Sequence, residues 1–125
     1  MTEWRWVGLD VVWAVHDRQL AEHGGADGGR DRGLVESVLA RPNLAVYGEP
    51  DAADLAASYL YGIARNHGFV DGAKRTGWVI ARLFLADNGT QLRFDPVEAV
   101  KIVESVAAGA LGESALAEWF RTRLG

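Results

Sequence analysis

The sequence predicts an all-α fold, a six-helix bundle with at most a short two-stranded scrap of sheet. Three observations predict it. Apolar residues recur along most of the chain at i, i+3, i+4 and i+7, the spacing of one helix face. The segments with that period are punctuated by short glycine- and proline-bearing stretches. The balance of 49% apolar to 24% charged residues over 125 positions is that of one globular domain, and neither a repeat nor a composition shift divides residues 1–125.

In order, Leu9, Val12, Trp13, His16 and Leu20 mark a first helix that Gly24-Gly25 ends. His16 falls on its apolar face and reads as a core histidine with a satisfied hydrogen bond. His23 suits the helix C-terminus. After the loop GGADGGRDRG, whose Arg30-Asp31-Arg32 reads as exposed charge or the rim of a site, Leu34, Val35, Val38 and Leu39 predict a short second helix. It is expected to stop before Pro42, because the residue preceding proline is pushed out of the α region. Asp51 is the predicted N-cap of a third helix with Ala56, Tyr59, Leu60 and Ile63 inward, running out near Asn66. A fourth begins at Gly72–Lys74, turns Thr76, Val79, Ile80, Leu83 and Phe84 inward, and closes at Asn88-Gly89. Leu92-Arg93-Phe94 is read as an extended piece paired with Trp4–Trp6. Asp95-Pro96 starts a fifth helix with Val100, Val103 and Ala107 on the core. Gly109 and Gly112 break it, and Leu116, Trp119, Phe120 and Leu124 mark a sixth.

The totals exclude several classes. There is no cysteine, hence no disulfide or thiolate metal site, which suits a reducing cytoplasm. The N-terminal stretch MTEWRWVGLDVVWAVHDR lacks the basic-then-apolar order of a signal peptide. No apolar run approaches the ~20 residues of a membrane span. A net charge of −4 argues against direct nucleic-acid binding.

Chemistry concentrates in RNHGFVDGAKR, residues 65–75. Arg65, Lys74 and Arg75 stand against Asp71, so the segment is cationic within an acidic chain. A helix opening at Gly72–Lys74 offers unpaired N–H groups and the positive end of its dipole to an anion. Gly72 lets the backbone approach a ligand. Lys74 and Arg75 add charge that grips phosphate oxygens. Asp71 is a hard oxygen ligand suited to Mg²⁺ shared with phosphates. His67 titrates near neutrality and can serve as a general base toward a hydroxyl. Phe69 reads as the apolar anchor of the loop. Base, metal carboxylate and anion nest together are what phosphoryl or nucleotidyl transfer requires. His67 and Asp71 are four apart, as in a helical metal pair, but the flanking glycines argue against continuous helix. GFVDGAK is not a P-loop, since no glycine directly precedes the lysine and no strand precedes the loop.

HGFVDGAKRTG resembles the signature of the Fic/Doc proteins, broadly H-x-F-x-(D/E)-x-N-x-R, and most of all the death-on-curing (Doc) type, H-x-F-x-D-x-N-K-R-T. His67, Phe69, Asp71, Lys74, Arg75 and Thr76 match. GGRDRGLVESVLARP, YLYGIARNH, LFLADNG and AAGALGESALAEWF also look like this family, in order, so the resemblance covers nearly the whole chain. It implies an all-α Fic-type core and transfer of part of ATP to a protein hydroxyl. His67 would be the base, Asp71 the Mg²⁺ ligand, and Gly72, position 73, Lys74 and Arg75 the phosphate contacts. Doc-like members with lysine at position 74 are similar to kinases that pass the γ-phosphate to elongation factor Tu and halt translation. Members with glycine there, and a second arginine where this chain has Trp78, usually transfer AMP. A small antitoxin of the Phd type would silence the protein in the cytoplasm.

The chain departs from the signature at Gly68, a variable position, and at Ala73, where the family carries asparagine. A methyl group can neither order the nest nor bind phosphate, and doing without one such polar group in a transition state costs on the order of 10²-fold in rate. The resemblance thus implies an attenuated kinase, with AMP transfer and an inactive, antitoxin-binding module as alternatives. Ser114–Glu118 partly matches the inhibitory motif built into some Fic proteins, but Trp119 follows it, so it reads as an ordinary terminal helix. Trp13, Tyr59, Phe84, Trp119 and Phe120 read as core. Trp4, Trp6 and Trp78 are candidates for a partner groove.

Overall fold

A helix that is apolar on every side has to be surrounded, and Ala52–Arg65 is that helix. The computed structural model describes residues 3–25, 31–65, 69 and 71–125, and the six expected helices lie among them. They are α1 (Leu9–His23), α2 (Arg32–Ala45), α3 (Ala52–Arg65), α4 (Ala73–Asp87), α5 (Pro96–Ala107) and α6 (Glu113–Arg121), with one 3₁₀ turn at Val46–Gly48. The α3 helix buries residues on every face, among them Leu55, Ala57, Tyr59 and Ile63. It packs against α2, α4, α5 and α6, while α1 lies on α4.

Small residues set how closely these helices approach. A Cβ on Gly62 would stand 2.6 Å from Cγ1 of Val38, and one on Gly77 would stand 3.1 Å from a Leu60 methyl. The buried side chains form one cluster, with Tyr59, Phe84 and Phe120 fully enclosed. Tyr59 accepts a hydrogen bond from the Val7 N–H at 3.0 Å, which satisfies its buried hydroxyl. Burial pushes the Tyr59 phenol up from its ordinary pKa.

The helix ends follow the local rules the sequence carries. Gly24 takes φ +78° and bonds its N–H to the Leu20 carbonyl at 2.7 Å. Asp51 accepts from the Asp54 N–H (2.9 Å) and Asp54 from the Asp51 N–H (3.0 Å), a reciprocal cap on α3. Asn88 and Gly89 close α4. The Asn88 side chain also bonds both backbone groups of Arg5. Asp95 precedes α5 with extended backbone, though its side chain makes no capping bond.

Five expectations fail, each for a tertiary reason. The second helix continues through Pro42 to Ala45. Proline removes one N–H bond in that last turn, and its buried ring offsets the loss. Trp4–Trp6 do not pair with residues 92–94. Instead the Trp4 and Trp6 rings lie 5.9 and 6.2 Å from Phe84. The lone antiparallel bridge among the described residues joins Leu92 to Leu124, flanked by bonds between Gln91 and Gly125. Leu124 is therefore outside α6, which ends at Arg121. Val100 is 62% exposed, because α5 turns Ala99, Val103 and Val106 inward. Leu83 is 37% exposed, one position off the Ile80–Phe84 stripe.

The surface end of α3 is tied to α6 by Arg121. Its guanidinium donates to Asp51 (2.7 and 3.1 Å), Asp54 (2.9 Å) and Glu118 (2.6 Å). These bonds hold the Asp51 carboxyl at about 2, below its ordinary 3.8, chiefly through the Arg121 hydrogen bond. A depressed carboxylate stabilises the fold above its unfolded pKa and loses that contribution as pH falls through the folded one. Arg121→Gln should therefore cost about 1 kcal/mol at neutral pH, after solvent screening of this exposed network. Thermal unfolding should show that deficit shrinking between pH 4 and pH 2; a deficit unchanged across that range would contradict the assignment.

Candidate active site

Between α3 and α4, Phe69 and Asp71 are held by α1. Phe69 is 6% exposed, and its ring stacks on the His16 imidazole with centroids 3.9 Å apart and planes 25° apart. Trp13, one turn earlier on α1, meets the same ring edge-on at 5.6 Å. His16, 1% exposed, donates its Nε2–H to the Asp71 carbonyl at 2.7 Å. The carbonyl can only accept, so the bond assigns the proton to Nε2. The core histidine expected from the sequence thus has a definite task, holding the backbone of Asp71.

Next along the chain, Gly72 takes φ +82°, ψ 4°, a left-handed conformation that costs glycine nothing. A Cβ there would also meet the His16 ring at 3.3 Å. Conformation and crowding thus both require glycine at position 72. The chain then enters α4, and the Thr76 N–H closes the first turn on the Gly72 carbonyl at 2.9 Å.

The start of α4 forms one wall of a cleft of about 1020 Å³, with α5 opposite. Phe69, Asp71, Gly72, Ala73, Lys74 and Arg75 all line it, so six of the seven residues singled out from the sequence converge there. The seventh, His67, lies outside the described residues, as do residues 26–30, which include Arg30. Asp31 and Arg32 are exposed at the start of α2, where Asp31 accepts from the Leu34 N–H and Arg32 pairs with Glu36. Arg65 is not in the cleft; it lies against Gly109, whose added Cβ would stand 2.5 Å from its Nη1.

Electrostatically the α4 end is positive. Its first turn contains no acid and two cations, Lys74 and Arg75, beside unpaired helix N–H groups. Among the described residues no ion pair joins Arg75 to an acid, whereas Lys74 bonds Glu104 on α5 at 3.0 and 3.1 Å. Ala73, at the first position of α4, points a half-buried methyl toward the core and the cleft. No helix among the described residues is long and apolar enough to cross a membrane.

Sequence reasoning marked Trp78 as a groove candidate but missed the rest of the far half of the cleft. Trp78 lines it and packs edge-on against Phe94 at 5.1 Å. The Arg82 guanidinium lies 5.0 Å from the Phe94 ring centre and 5.8 Å from that of Trp78. Arg82 follows Arg75 by seven residues, two helical turns, so the spacing alone could have placed both on one face. Nothing in the sequence links Glu104 to Lys74. The terminal segment Ser114–Glu118 is ordinary helix, with Glu118 bonded to Arg121.

A buried anchor, a left-handed glycine and a cationic helix start meet at one cleft, and comparison with known sequences gives the chain a family. The sequence model of the Fic/DOC family matches residues 6–85, more than half of the chain. The chain belongs to the Fic/DOC family. It is similar to the Toxin Doc of Mycolicibacterium smegmatis, 46% identical over 83 residues. That match spans 62% of this chain and 64% of the Mycolicibacterium protein, just under two thirds. It is also similar to the protein kinase doc of Escherichia phage P1, 33% identical over 123 residues and 97% of each chain.

Two substitutions test the anchor. His16→Phe keeps a ring against Phe69 but removes the His16 bond to the Asp71 carbonyl; it should lower stability by about 1 kcal/mol and depress activity further than that loss explains. Gly72→Ala should destabilise by roughly 1–2 kcal/mol, since alanine must adopt positive φ beside the imidazole. Denaturant unfolding checks both, and a Gly72→Ala protein as stable as the parent would contradict the packing described.

Proposed function

We propose that this chain is a Doc-type toxin that transfers the γ-phosphate of ATP to a hydroxyl of a translation protein such as elongation factor Tu, and so inhibits growth. The observation that carries this reading is the first turn of α4, where Lys74 and Arg75 face the cleft beside Asp71 while Trp78 stands where AMP-transferring members have a second arginine. The full-length similarity to a protein named as a kinase supports it.

In this reading the nest at Gly72–Lys74 and the Arg75 guanidinium bind the triphosphate and hold the γ-phosphorus in line with the incoming hydroxyl. The hydroxyl oxygen forms a bond to that phosphorus, the bond to the β,γ-bridging oxygen breaks, and ADP leaves. His67, four residues before Asp71, takes the hydroxyl proton. Phosphoryl transfer asks chiefly for positioning and charge neutralisation, so a short segment suffices.

The residues also suit Mg²⁺. The described residues contain no group of three or more His, Cys, Asp or Glu able to cage a metal, but Asp71 is exposed at the cleft on a backbone pinned by His16. Mg²⁺ commonly takes one or two carboxylates and completes its shell with phosphates and water. Held that way it would neutralise charge on the phosphates.

A Phd-type antitoxin is the proposed regulator. The exposed Val97 and Val100, each 62% exposed on α5 beside the cleft, offer an apolar strip for it. A bacterial cytoplasm fits both this partner and the target. A second reading, an inactive module acting through its antitoxin complex, is favoured by one observation, the methyl of Ala73 where an amide would reach phosphate.

Purified protein incubated with cell extract and ATP labelled at either the α- or the γ-phosphate tests these readings. Label should pass from the γ position only, and Ala73→Asn should raise the rate on the order of 10²-fold. Transfer from the α position would establish AMP transfer instead. No transfer before or after Ala73→Asn would overturn the kinase reading.

A further inference from the structure

Besides Arg75, two charges in the cleft defy the usual preference of helix ends. Lys74 is a cation in the first turn of α4, at the positive end of that helix. Glu104 is an anion in the last turn of α5, at the negative end of that one. Each placement is unfavourable alone, because like charge meets like partial charge. They face each other across the cleft, and the ammonium sits between both carboxylate oxygens at 3.0 and 3.1 Å. A local rule broken twice with one mutual compensation is characteristic of a functional site.

We infer that Glu104 sets the affinity of the cleft for phosphate by competing with it for Lys74. The inference rests on the reading of the cleft as a phosphate site. The carboxylate of Glu104 occupies, with respect to Lys74, the position that an anionic ligand needs. Both partners are half-exposed, at 48% and 59%, so the pair is weak enough for a polyphosphate to displace. Lysine is suited to such an exchange, since its ammonium is a point charge on a flexible stem and can swing from one acceptor to another. Arg75, with no acid partner among the described residues, faces no such competitor and would make the first contact. Glu104 and Asp71 both line the cleft, so Glu104 adds negative charge that a phosphate must approach. This effect should be strongest at low ionic strength, where screening is least.

Glu104→Gln retains the shape and the helix while removing the charge. Calorimetric titration of the whole protein with tripolyphosphate and with ATP should show binding tighter by about 3- to 10-fold, with the gain larger at low than at high salt. In turnover assays the change should fall on KM for ATP rather than on kcat. In a Lys74→Met background the same substitution should change affinity by less than about 2-fold. Equal or weaker binding by a Glu104→Gln protein of unchanged melting temperature overturns the inference. The rate at which an amine-reactive acylating reagent modifies Lys74 reads the ion pair without any ligand, and it should rise in Glu104→Gln. If that rate rises but neither the parent nor the variant binds tripolyphosphate, the ion pair stands, the phosphate reading fails, and the inference falls with it. An unchanged rate shows that the pair itself does not form in solution, which also overturns the inference.

Discussion

The enclosure of α3 is the constraint on which the rest of the structure depends. A helix apolar on all sides can be satisfied only if neighbours cover every face, and here α2, α4, α5 and α6 do so. Large side chains all round would hold those neighbours too far apart. Gly62 admits α2 through Val38, and Gly77 of α4 admits Leu60 and Ile63 of α3. The second approach fixes the axial position of α4, whose first residues carry the cations. The same packing that fills the core therefore determines where the helix opens, and the cleft is the space left between that opening and α5.

Between α3 and α4, Phe69 and Asp71 take their positions from α1. His16 and Trp13 hold the Phe69 ring, and His16 also holds the Asp71 carbonyl. Both interactions come from a regular helix, so the Phe69 ring and the Asp71 carbonyl inherit the precision of a rigid element. Chemistry that relies on positioning benefits directly, since a displacement of an ångström in a reacting group is felt in the rate. An aromatic residue in the middle of the segment is, on this view, a mechanical part of the site.

Much of this is legible in the sequence because it is encoded locally. Gly24, the Asp51–Asp54 cap, Asn88-Gly89 and Asp95-Pro96 mark helix ends within a few residues, and the structure has its ends there. Six of the seven candidate site residues converge because they are neighbours in the chain. What escapes the sequence depends on distant partners. Periodicity tells that α5 has an apolar face but not which of Ala99 or Val100 meets the core. Leu92 pairs with Leu124 rather than with Trp4–Trp6 because the aromatic pair is taken up by Phe84. Pro42 stays helical because its ring is buried, a fact of tertiary packing. Glu104 meets Lys74 across thirty residues, with no pattern that announces it.

Ala73 carries a consequence beyond the chemistry of the cleft. As the first residue of α4 it is the best intrinsic helix former there, and its methyl is partly packed against the core. Asparagine at this position would bring a polar amide to a partly apolar seat. On the proposed reading of the cleft, foldability and catalytic power thus pull this one position in opposite directions.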